Sequence, residues 1–162
     1  MMYNCDVQKR NTTPKQPVCK DERVLVRNAC GFNQNSLVLA ANVPLDIGNI
    51  ILNIDCFKKA AVNIRTSFTI STTAAINDLS LVLSRNCNGS TVPINRIPLA
   101  ALTGNSVENF EIPICDCCPC CDCVTYTVSI VSASGIPATA RASLPSVCLQ
   151  AIVTDSDCSC HK

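Results

Sequence analysis

Hydrophobic residues recur at every second position through most of this chain. Val62, Ile64, Thr66, Phe68 and Ile70 form the clearest such run. Ile50, Leu52 and Ile54 alternate before it, and Leu79, Leu81 and Leu83 after it. A period of two places successive side chains on opposite faces, so each run reads as a strand with one buried and one wet face. Asn86-Cys87-Asn88-Gly89 is a tight-turn signal, and Val92, Ile94 and Ile97 follow it as the returning arm of a hairpin. Phe110, Ile112 and Ile114 alternate into a cysteine-rich segment, and Val124, Tyr126, Val128 and Ile130 alternate out of it. Val24, Val26 and Ala29 mark a first strand. Leu37-Val38-Leu39-Ala40 reads as the start of a second, ending near Pro44, and 136–142 and 147–153 supply the last one or two.

The pattern predicts about nine or ten strands spaced roughly 10–15 residues apart, with no helix. The fold class is therefore all-β: an antiparallel β-sandwich of jelly-roll type with an extended N-terminal arm. The arm is residues 1–22, a polar stretch with Pro14 and Pro17 and no periodicity. The sandwich domain is expected over 23–154, followed by a short tail at 155–162. Outward positions on the strands are mostly Thr, Ser and Asn, a solvated but weakly charged surface suited to packing against copies of itself.

Composition narrows the function. Of 162 residues only 15% are charged, with 13 Lys plus Arg against 12 Asp plus Glu. So little net charge favours association and lacks the basic surface that nucleic acid requires. No run is long and apolar enough to span a membrane. Trp is absent, and the single His, His161, lies next to the C-terminus. No nucleophile–base motif is present, so neither an enzyme active site nor a cofactor is expected.

Cysteine is the unusual component, 14 residues in all. That density suggests a covalent scaffold in an oxidising place, yet Met1–Arg10 has no signal-peptide layout. A protein made in a bacterial mother cell and oxidised in place on the spore surface, extracellular after lysis, reconciles the two. The centre of the pattern is Cys115-Asp116-Cys117-Cys118-Pro119-Cys120-Cys121-Asp122-Cys123, a palindrome about Pro119. Set between two alternating runs, it reads as the end of a hairpin. A symmetric hairpin would oppose Cys117 to Cys121 and Cys115 to Cys123, within disulfide range, and point Cys118 and Cys120 elsewhere, with another chain one destination; the sequence leaves many other pairings open. Asp116 and Asp122 read as residues that keep the loop wet. Cys30, Cys56, Cys87 and Cys148 fall around the strands; a buried free cysteine is an ordinary core residue, and Cys30, Cys56 and Cys148 are candidates for that role. Cys5 and Cys19 in the arm, and Cys158 and Cys160 in the tail, cannot be core and read as cross-link candidates.

The same cluster has a metal reading. Cys115, Cys117, Cys118, Cys120, Cys121 and Cys123 have thiolate spacings suited to zinc or copper(I), although overlapping pairs in one short segment require a polynuclear site.

With Cys115-Asp116-Cys117-Cys118-Pro119-Cys120-Cys121 running into Val124-Thr125-Tyr126-Thr127-Val128, the chain resembles small cysteine-rich proteins of spore-forming clostridia. In layout it is also similar to the endospore appendage subunits of bacilli, jelly-roll proteins whose cysteine-bearing N-terminal connector bonds to earlier subunits of a fibre. Those connectors usually carry paired cysteines, whereas Cys5 and Cys19 are separate here and the arm is longer. The resemblance implies a self-assembling structural subunit of a disulfide-cross-linked fibre or spore surface layer. Its partner would be itself, in a head-to-tail homopolymer, without nucleic acid or membrane. A cysteine-rich metal-binding protein is the alternative.

Overall fold

A computed structural model of the chain describes residues 24–117, 119 and 122–155. They form eight strands: β1 (Val24–Leu37), β2 (Leu45–Asn53), β3 (Ala60–Thr72), β4 (Leu79–Cys87), β5 (Ser90–Pro98), β6 (Ser106–Cys117), β7 (Cys123–Ser132) and β8 (Ala142–Asp155). Two four-stranded sheets result, with orders β1-β8-β3-β6 and β2-β7-β4-β5, every pairing antiparallel. Sequence neighbours alternate between sheets except at the β4–β5 hairpin, which is the connectivity of an eight-stranded jelly roll.

The period-two runs explain the layers. In β3, Val62, Ile64, Thr66, Phe68 and Ile70 are all buried, while Asn63 and Arg65 between them are exposed. They face Leu52, Leu81, Leu83, Val128 and Ile130 of the second sheet, each fully buried. At roughly 25 cal/mol per Å2 of buried apolar surface, this interior is the main driving force for folding. Phe68 and Phe110 are direct cross-strand partners, stacked with ring centroids 5.0 Å apart. The outer faces are sparsely charged, and they mix polar residues with exposed Val24, Val26, Ile51, Val92, Val107 and Ile152. Arg65 meets Glu111 at 3.2 Å, and Thr69 donates to Asn109.

Three sequence expectations change. Leu37 closes β1 rather than opening a strand, and Leu39 makes a single bridge to Ile136 within a connection. The apolar stretch at 136–141 is no strand but a connection with a short 3-10 turn at Ala138–Ala140, and β8 begins at Ala142. The connection is apolar because Ile136 and Ala140 plug that end of the core. Gly135 allows the close approach. It sits at φ +83°, and a Cβ there would lie 2.7 Å from the Leu39 carbonyl oxygen. The tight turn after β4 does form, with Asn88 and Gly89 both at positive φ.

The third change concerns the palindrome. β6 and β7 lie in different sheets, β6 against β3 and β7 between β2 and β4. The segment joining them therefore crosses between sheets and is not a hairpin end. Both alternating runs were strands, but each had a better partner elsewhere.

Cys30 and Cys148 are bonded to each other across the outer face of the β1–β8 pair. They are not core thiols. The bond closes a loop with a sequence separation of 118, which in the chain-entropy picture restricts the unfolded chain by roughly 4–5 kcal/mol.

Thr66 occupies an inward position of β3, fully buried, and its hydroxyl has no hydrogen-bond partner. An orphaned buried hydroxyl costs about 1–3 kcal/mol. Thr66→Val, which keeps the shape and removes the hydroxyl, is expected to raise unfolding free energy by about 1–2 kcal/mol. Leu81→Ala in the facing sheet is expected to lower it by about 2–5 kcal/mol. Denaturant midpoints at unchanged m-value measure both.

Candidate functional site: the cysteine end of the sandwich

The strand directions bring most of the described cysteines to one end. β3 starts there at Ala60, opposite Asp155 at the end of β8, and Ala61 pairs with Cys117 at the end of β6. In the other sheet β2 ends at Asn53 opposite Cys123, and β4 ends at Cys87 opposite Val124. Cys56 lies in the connection from β2 to β3, where Ile54 donates its backbone N–H to the Asp122 carbonyl at 2.7 Å. Val24, where β1 leaves the arm, pairs with Thr154. Arm and tail therefore both join the body at this end. Lys59 donates its backbone N–H to the Asp155 carboxylate there.

Cys56, Cys87, Cys115 and Cys123 are disulfide-bonded, so Cys56 is a covalent member of this end rather than core filler. Cys117, half-buried, carries the free thiol among the described residues. The strand pleat sends Cys115 outward while its neighbour Asp116 turns inward. The remaining candidates, Cys5, Cys19, Cys118, Cys120, Cys121, Cys158 and Cys160, lie outside the described residues. Among the described residues no group of three or more His, Cys, Asp or Glu is placed to hold a metal.

A polar clamp beneath the cysteines holds the two sheets together. Asp116 is buried, not the wet loop residue its position in the palindrome suggests. Arg85 of β4 donates from Nη1 to both carboxylate oxygens, at 2.9 and 2.7 Å. Tyr126 of β7, the cross-strand partner of Arg85, donates its hydroxyl to Asp116 Oδ2 at 2.6 Å. Burial, then the bond to Asp116 and its negative charge, raise the Tyr126 phenol far above its ordinary value, with Arg85 opposing. The phenol therefore stays a proton donor. The sequence carried a signal for this clamp. Asp116 is in phase with inward-facing Ile114, and Arg85 with Leu81 and Leu83, so opposite charges occupy inward positions on facing strands.

At the far end, residues Ala74–Asp78 and Ser134–Pro137, with Thr139 and Ala140, line an open cleft of about 370 Å3. Its carboxylate is already engaged. Ser132 Oγ donates to Asp78 Oδ1, and the Ser134 backbone N–H to Oδ2. Hydrogen bonding from Ser134, then Ser132, holds the Asp78 carboxyl below its ordinary value.

No protein-family model matches the chain, and no curated protein matches it. The fold has solved relatives at very low identity. The infectious bursal disease virus subviral particle superimposes with a TM-score of 0.50 and 10% identity, over 90% of this chain and 38% of the other. Particles derived from infectious bursal virus give a TM-score of 0.50 and 12% identity, over 90% and 36%. The chain thus spans little more than a third of the virus proteins' length, and the likeness shows the fold. A Bacillus endospore appendage structure, described as a disulfide-linked pilus, is also matched, with TM-score 0.39 and 13% identity, over 90% of this chain and 100% of that one.

Removing one member of the clamp leaves a buried charge or acceptor unpaired. Arg85→Met is expected to cost about 3–5 kcal/mol of stability and Tyr126→Phe about 1.5–3 kcal/mol, both read from denaturant curves under oxidising conditions.

The Asp78 carboxyl is lowered in the folded state, so its stabilisation is complete above the unfolded value of 3.8 and is lost as pH falls through the folded value. The stability advantage of wild type over Asp78→Asn is therefore expected to be constant near neutral pH, to begin falling as pH drops below 3.8, and to vanish only below the lowered folded value. Thermal melts across pH measure it.

Proposed function

We propose that this protein is a structural subunit that assembles with copies of itself into a disulfide-cross-linked fibre or layer on a spore surface. The observation that carries the reading is the collection of cysteines, arm and tail at one end of the sandwich. Cys56, Cys87, Cys115, Cys117 and Cys123 surround the place where the chain enters at Val24 and leaves at Asp155. A monomer stabilised by disulfides would gain from bridges spread over its body. A subunit joined to its neighbours gains from thiol chemistry gathered where its connecting segments attach.

Residues 1–22 serve as the joint in this reading. They reach at most about 70–75 Å when extended, well past a domain of this size. Cys5 and Cys19 supply the covalent link, and Cys118, Cys120, Cys158 and Cys160 are the candidate acceptors. A head-to-tail link is heterologous and propagates unless it closes into a ring. The weakly charged outer faces let bodies pack closely without strong repulsion. The reading is non-enzymatic, because the far-end cleft offers one carboxylate with both oxygens engaged. It is also favoured over metal storage. Cys115 and Cys123, two of the six thiolates that a metal cluster would use, are tied up as disulfides.

Purified without reductant, the protein is expected to run as a ladder, or to fail to enter a denaturing gel, and to collapse to one band on reduction. Cys5→Ser/Cys19→Ser should leave assemblies that fall apart in boiling detergent. Assemblies of that variant that survive boiling would exclude the arm as the covalent link. Several zinc or copper ions per natively purified chain would contradict the structural reading.

A further inference from the structure

β1 is the strand through which any load on the arm must pass, and in its first half Leu25 and Ala29 are the side chains that pack against the core. Among the described residues it is an edge strand, with β8 as its strand partner. From Val24 to Cys30 its side chains are exposed or half-buried, with Val24 64% and Val26 47% exposed. Its fully buried anchor, Leu37, lies at the opposite end. The chain enters β1 and leaves β8 at the same end, with Val24 opposite Thr154. Tension between arm and tail would therefore open the pair one rung at a time, the geometry in which hydrogen bonds resist least because they never share the load.

Regular pairing runs over six rungs, Val24–Thr154 to Ala29–Leu149, and the next pair is Cys30–Cys148, covalently joined. Beyond it the register shifts between Cys30 and Phe32, again between Phe32 and Gln34, and again before Leu37. The disulfide stands at the last regular rung, in front of a stretch poorly fitted to stop an opening strand.

From this placement we infer that the Cys30–Cys148 disulfide is a mechanical latch: it stops β1 from peeling off β8 and so keeps the arm's anchor on the body under load. This rests on the reading of the arm as the joint between subunits. The latch confines opening to the outer rungs. It also keeps β8, whose Leu149, Ala151 and Val153 are fully buried core, from becoming a bare edge.

The test is amide hydrogen exchange on the full oxidised chain, which reads the latch whether or not the chain polymerises. In Cys30→Ser/Cys148→Ser, amides of β1 and of 149–154 are expected to exchange about tenfold faster or more, with β4 and β7 unchanged. Asn28 and Gln150 are paired on the same face two rungs nearer the open end. Adding Asn28→Cys/Gln150→Cys to the double variant should restore slow exchange in β1. Unfolding of the first variant with recovery in the second also supports the latch. Unchanged exchange in the first variant would overturn it, as would fast exchange or loss of the fold in both. If protection follows the latch while gels show only monomer, the proposed assembly fails and the latch stands as a property of the body.

Discussion

Everything in this structure depends on the requirement that two sheets, each apolar on one face, hide those faces against each other. Period-two runs with Leu, Ile and Val inward leave no other arrangement that removes them from water. Once two sheets share one core, a chain whose successive strands alternate between them must cross repeatedly at the ends. The connections from β2 to β3, from β4 to β5 and from β6 to β7 fall at one end, and Cys56, Cys87, Cys115, Cys117 and Cys123 flank or occupy those connections. The location of the thiol chemistry follows from burying the inner faces.

The clamp of Arg85, Asp116 and Tyr126 gives that end a fixed geometry. A carboxylate at the core edge is costly alone, and here Nη1 of Arg85 and the Tyr126 hydroxyl together offset the cost. Asp116 lies between Cys115 and Cys117, so anchoring it inward fixes the outward direction of Cys115. Electrostatics within the core thus orients covalent chemistry at the surface. The Cys30–Cys148 bond acts elsewhere, on the solvent face of the edge strand that carries the arm.

Much of this was legible in the sequence because alternation reports burial. The runs at 62–70, 79–83 and 124–130 lie on strands, and the outward Thr, Ser and Asn are where the phase puts them. What alternation does not report is the partner. A hairpin and a crossing between sheets both place turn residues between two alternating runs, so the palindrome about Pro119 suggested a hairpin although β6 pairs with β3. Apolar residues also seal the ends of a sandwich without forming strands, which is why Leu39 and 136–141 looked like strand. The clamp could have been found from phase alone, since Asp116 and Arg85 fall on inward positions. The pairing of Cys30 with Cys148 could not, because it depends on β1 and β8 being neighbours across almost the whole chain.

The central claim is that thiol chemistry at one end of the sandwich joins one copy of the chain to another. The most direct measurement mixes reduced nitrogen-15-labelled and unlabelled protein in equal amounts, lets them oxidise together, and identifies disulfide-linked peptides by mass spectrometry. The account predicts mixed-isotope pairs in peptides containing Cys5 or Cys19, and uniform isotope composition in the Cys30–Cys148 pair. Uniform composition in every linked peptide would show that all bridges lie within single chains and would contradict the account.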